Sequence, residues 1–160
     1  MTSYDIQRYL RKSTGYNSVY VSEFTWGDMR IDGILIDIKD RWIRGYEIKV
    51  SIQDFSNDKK WVEYSEFCSS LVIVCPEGMI EPNEVSKPFG LLWVKEEKES
   101  ERKHREHSLI WKKKAINFQK RNSLAWYWTY TKVLETEFKR LDNEIRQLII
   151  VRNQELNTGT

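Results

Sequence analysis

Three ionisable residues stand in a segment otherwise rich in Ile, Val and Tyr: Asp32 and, after fourteen intervening residues, Glu47 and Lys49 on either side of Ile48. Charged side chains among such neighbours carry a desolvation cost unless they are paired or bind a metal. In an extended strand Glu47 and Lys49 share a face roughly 7 Å apart, while Ile48 points to the other side. If the chain forms a hairpin that turns near Lys39 to Arg41, Asp32 comes to lie beside both on the neighbouring strand. Two carboxylates and a backbone carbonyl then make the hard oxygen set preferred by Mg²⁺, with waters and a substrate phosphate completing the octahedron. Such an ion holds a phosphate and stabilises charge as a water adds to it. Lys49 would lower the cost of forming hydroxide or neutralise the pentavalent phosphorane. The set is chemically sufficient for phosphodiester hydrolysis.

The elements around these residues follow from periodicity. Ile6 and Leu10, four apart between Tyr4 and Lys12, predict a short amphipathic helix that Gly15 can end. The runs Val19 to Thr25, Arg30 to Ile38 and Trp42 to Val50 are rich in Val, Ile, Tyr and Trp and are divided by turn residues, which predicts a three-stranded antiparallel meander. Between Gln53 and Cys68 the spacing of Trp61, Tyr64 and Cys68 changes to that of a helix. Leu71 to Cys75, stopped by Pro76 and Gly78, and Gly90 to Val94 read as buried strands. The expected core is therefore helix, three strands, helix and two strands over residues 1–95.

Asp32, Glu47, Ile48 and Lys49 on that scaffold resemble the PD-(D/E)XK nucleases. The longer string is similar to the MmcB-related group of DNA-repair nucleases: Glu23-Phe24, Arg30-Ile31-Asp32, Glu47-Ile48-Lys49-Val50-Ser51, Asp54-Phe55, Asp58, Lys60-Trp61 and Tyr64-Ser65-Glu66-Phe67-Cys68. The similarity runs on through Leu71 to Pro76. It implies an α/β, restriction-endonuclease-like core, cleavage of DNA with Mg²⁺ or Mn²⁺, Asp32, Glu47 and the Ile48 carbonyl as metal ligands, Lys49 as the catalytic lysine and Glu23 as a further acid. Ile31 stands where the superfamily name implies Pro, a residue that bears no catalytic group.

Several nearby residues have both a structural and a functional reading. Glu23 can equally be a surface or ion-paired residue. Lys60 and Tyr64, four apart on the second helix, could reach DNA phosphate, and Ser51 could bond one; Tyr64 can instead belong to the helix's core stripe, and Ser51 can end its strand. Asp54 and Asp58 are placed to cap that helix. His104 and His107, with Cys68 and Cys75, fall short of a zinc site because the cysteines are too far apart in sequence.

Beyond Val94 the composition changes. From Lys95 to Arg121 there are ten Lys or Arg against five Glu, whereas the whole chain, with 26 basic and 24 acidic residues, is only +2. The surplus gathers at Lys112, Lys113 and Lys114 beside Trp111, a pattern suited either to phosphate contact or to a solvated helix face. Tyr127, Thr131, Leu134, Phe138, Leu141, Ile145 and Leu148 form a short heptad seam that predicts either a homodimer or a helix packed on its own domain. Residues 96–160 are thus expected to be a mostly helical extension. No membrane span or signal segment is evident, and two cysteines in or beside an apolar run suit a reducing compartment, so the expectation is a cytoplasmic protein. The main alternative to a nuclease is a nuclease-fold module that binds DNA or a protein partner without cutting.

Overall fold

A computed structural model describes residues 1–57, 64–65, 67–95, 108–117 and 123–158. Thr2 opens the first helix, α1 (Ser3–Lys12), with a capping box: its hydroxyl accepts from the Asp5 N–H, and the Asp5 carboxylate accepts from the Thr2 N–H. Strands β1 (Ser18–Trp26), β2 (Met29–Asp37) and β3 (Trp42–Ile48) form the antiparallel meander. Gly27, at a positive φ of 59°, makes the first tight turn, and the Asp37 carboxylate accepts from the Asp40 N–H in the second.

After the short helix α2 (Ile52–Asn57), β4 (Ser70–Pro76) and β5 (Gly90–Val94) join in parallel, and β6 (Leu109–Lys113) adds antiparallel to β5. The six strands lie in sequence order in one mixed sheet. The protein is an α/β fold with a helix at each end, the last being α3 (Ser123–Thr158). Strand β5 is buried along its whole length and β4 in all but its last residue, because both faces of the sheet are covered. One face packs against Ile6, Tyr9 and Leu10 of α1 together with Tyr20, Tyr46, Val72 and Leu92. The other packs Ile34, Ile43, Leu71, Ile73 and Leu91 against Tyr64, Phe67, Ile80 and Val133 of α3. No helix among the described residues is long and apolar enough to cross a membrane.

Two features add to these expectations. Leu109 to Lys113 is a strand of the main sheet within the mostly helical last third of the chain, so the sheet runs past residue 95. The long helix does form, but it turns Thr129 and Val133 inward, while the seam residues Tyr127, Leu134, Phe138, Leu141, Ile145 and Leu148 are all exposed. Only part of the helix expected over 53–68 falls on described residues: Ile52–Asn57 are helical, and Tyr64 and Ser65 form a short 3₁₀ turn.

Candidate functional site

Strands β2 and β3 stop pairing where Asp32 and Glu47 would come opposite each other, the last pair being Gly33 with Tyr46. Past that point the Asp32 carboxylate takes over as acceptor, receiving the Ile48 N–H at 2.7 Å. The ladder on the far side of β2 is interrupted at the same level. Ser22 pairs with Gly33 and Phe24 with Ile31, but Glu23 between them is held at a φ of 54°, in the left-handed region. The interruption turns both strands over, so that Val21 and Phe24, and likewise Ile31 and Ile34, face the same core although three residues apart. A positive φ on a non-glycine residue costs energy and is maintained by its surroundings. From the α1 side, Gln7 Nε2 donates to the Asp32 carbonyl at 3.4 Å.

Glu47 and Lys49 follow on β3 and just past its end, on the face that also carries Ile43. They are 7% and 3% exposed, and Lys49 Nζ lies 3.3 Å from Glu47 Oε1 and 3.8 Å from Asp54 Oδ1. Burial raises the Asp32 pKa above its ordinary value. The Ile48 N–H and the charge of Lys49 work against that rise, and the charges of Asp54 and Glu23 add to it. Asp32, Glu47, Lys49 and Asp54 therefore form one electrostatically connected group at the end of β3. Among the described residues no three or more His, Cys, Asp or Glu are placed to hold a metal. A divalent ion here would take its protein oxygens from Asp32, Glu47 and a backbone carbonyl, and a cation would offset the cost of ionising the partly buried Asp32.

Other residues singled out in the sequence occupy varied settings. Glu23 is half exposed and accepts from Arg30 Nη2 at 2.6 Å, a surface ion pair whose charge is nevertheless felt at Asp32. Tyr64 is in the core against Phe67, its hydroxyl donating to the Arg30 carbonyl at 2.7 Å, so it belongs to the core stripe and presents no outer phosphate-binding face. Ser51 is the cap of α2, accepting from the Asp54 N–H, while Asp54 turns to Lys49. Lys60, Asp58, His104 and His107 lie outside the described residues.

The lysine triplet is divided among three environments. Lys112 Nζ sits 4.3 Å from the centre of the Trp93 ring, Lys113 Nζ donates to the Val85 and Pro82 carbonyls, and Lys114 is exposed. Lys113 is thus a structural tether and not part of an open phosphate-binding surface. Sequence reasoning did not assign Gln7 to the site and took Asp54 for a cap. The available signal for Asp54 was its place in the first turn of the helix that follows Lys49.

No protein-family model and no curated protein matches the chain. Among solved structures it is similar to the SPO1766 protein of unknown function from Silicibacter pomeroyi, with a TM-score of 0.65 and 23% identity over 85% of this chain and 83% of that one. The likeness is one of fold, and its 85% coverage of 160 residues extends beyond the first 95.

Proposed function

We propose that this protein is a metal-dependent nuclease that hydrolyses DNA phosphodiester bonds in DNA repair, processing or phage-related DNA metabolism, on a core of the restriction-endonuclease type. The observation that carries this reading is the break in the β2–β3 ladder, which directs the Asp32 carboxylate to the Ile48 N–H beside the buried Glu47 and Lys49. The order of a helix, an antiparallel meander, a helix and two parallel strands also supports it.

In this reading Asp32, Glu47 and the Ile48 carbonyl hold Mg²⁺ or Mn²⁺, which when bound supplies Lewis-acid stabilisation of the phosphate. Gln7 and the Ile48 N–H orient Asp32. Lys49 releases its hold on Glu47 enough to place its ammonium against the developing phosphorane charge. The protein works in the cytoplasm, in keeping with its free, buried Cys68 and Cys75, and two copies pair through the exposed α3 seam.

A competing reading has one observation in its favour: Lys49 already neutralises Glu47 without a metal, as a non-cutting module of the same fold would require. The two separate when purified protein is incubated with duplex, single-stranded and branched DNA and with RNA, in Mg²⁺, Mn²⁺, Ca²⁺ or EDTA. Cleavage in Mg²⁺ or Mn²⁺ is expected to fall by more than about a hundredfold in Glu47→Gln, since the lost charge acts most strongly in the transition state. Ca²⁺ is expected to support DNA binding with little cleavage, because its looser coordination positions the attacking water poorly. Undiminished cleavage in EDTA, or by Glu47→Gln, would overturn the proposal.

A further inference from the structure

On the opposite face of the sheet from Glu47 and Lys49, and at the opposite end of β3, a cleft of about 380 Å³ opens between β3, β4 and the end of β6. Arg44 is its central feature. The guanidinium lies between two indoles, 4.0 Å from the Trp42 ring centre and 4.7 Å from that of Trp111. Nη1 makes a long 3.4 Å bond to the Tyr46 hydroxyl, and the buried Nε has no hydrogen-bond partner among the described residues. Ser70, only 2% exposed, also lines the cleft, and its buried Oγ likewise lacks a partner. Lys114 adds a second positive charge at the rim, and no Asp or Glu stands among the described lining residues.

Burying a guanidinium N–H and a hydroxyl without partners is unfavourable, and that cost is removed when a ligand supplies acceptors. Two positive charges and two donors, with no acidic side chain among the described lining residues, call for an anion, and Arg is the side chain best shaped for phosphate. The cleft falls within the roughly 300–1,000 Å³ of sites that hold small organic ligands, which is ample for more than a bare phosphate. Trp111, 43% exposed on the edge strand, offers an indole face for a planar ring, and the Asn117 side chain, bonded to Trp42 Nε1 at 3.4 Å, stands beside it.

We propose that this cleft binds the 5′-phosphate of a nucleotide, with Arg44, Ser70 and Lys114 on the phosphate and Trp111 stacked on the base. The site is separate from the Asp32, Glu47 and Lys49 group and does not depend on any nuclease activity there.

The test is isothermal titration calorimetry of the full chain in EDTA, with adenosine 5′-monophosphate, adenosine, inorganic phosphate, and a short oligonucleotide with or without a 5′-phosphate. Binding of the monophosphate at least about tenfold tighter than of adenosine or inorganic phosphate is expected, since both halves of the site must be engaged. A similar preference for the phosphorylated oligonucleotide identifies a strand end as the occupant, and its absence identifies a free nucleotide; either outcome supports the site. Lys114→Ala, an exposed change that leaves the fold intact, should weaken the monophosphate by about fivefold or more, and Arg44→Gln by more. Asp32→Asn should leave this binding unchanged. The proposal is overturned if adenosine and its monophosphate bind alike, if neither binds at millimolar concentration, or if Lys114→Ala binds as the wild type does.

Discussion

At the scale of single residues, Asp32 connects stability with function. Because burial raises its pKa from an ordinary value of 3.8, the folded chain keeps that proton to a higher pH than the unfolded chain does. Its contribution to stability is therefore present below the ordinary value and is lost as pH rises through the folded value. Asp32→Asn keeps an oxygen for the Ile48 N–H and removes the ionisation. Its melting temperature is expected to rise relative to wild type as pH increases from about 4, in thermal unfolding without metal. Added Mg²⁺ should raise the wild-type melting temperature and leave the Asn variant unmoved, since only the ionised carboxylate rewards the cation. An equal Mg²⁺ shift in both proteins would remove Asp32 from the metal site. Lys49→Ala has a different expected outcome. It leaves the Glu47 carboxylate buried beside a lost cation, and a loss of about 3–5 kcal/mol in urea unfolding is expected, so its activity must be read only where it remains folded.

At the scale of elements, the approach of β3 to its neighbours depends on Gly45. A Cβ there would lie 2.6 Å from Ile31 Cδ1, 2.7 Å from Leu71 Cδ1 and 2.9 Å from Cys68 Sγ, all within packed core. Gly45→Ala is expected to cost about 1–3 kcal/mol by overpacking, and an unchanged urea midpoint would show that the neighbours yield freely. Helix α3 raises a separate question. Among the described residues it turns Thr129, Tyr130 and Val133 toward the core, while Leu134, Phe138, Leu141, Ile145 and Leu148 form an apolar line in water. If that line pairs two subunits, light scattering should find a wild-type dimer that Phe138→Glu or Leu141→Glu converts to a monomer without loss of helix content. A wild-type monomer at high concentration would refute the pairing.

At the scale of the whole molecule, β6 and α3 complete a core begun a hundred residues earlier. β6 covers the edge of β5, and Val133 closes the face that contains Ile34 and Leu71. A chain of residues 1–95 alone is expected to expose that edge and face, bind a hydrophobic dye and lose its cooperative melting transition; a sharp transition in that fragment would refute the dependence. The sequence by itself determined α1, the meander, β4, β5 and the long last helix, because each announces itself through local periodicity and turn residues. It also brought Asp32, Glu47 and Lys49 to neighbouring strands through the two-residue alternation of side chains. Only the tertiary structure decided that Leu109 to Lys113 is a strand, since its bulge against Leu91 and Leu92 breaks the alternation and its lysines mask the apolar part. Tertiary structure likewise buried Tyr64, tied Lys113 to two carbonyls and set the Trp111 ring over Arg44. Those outcomes depend on contacts between residues far apart in the chain, which no local spacing encodes.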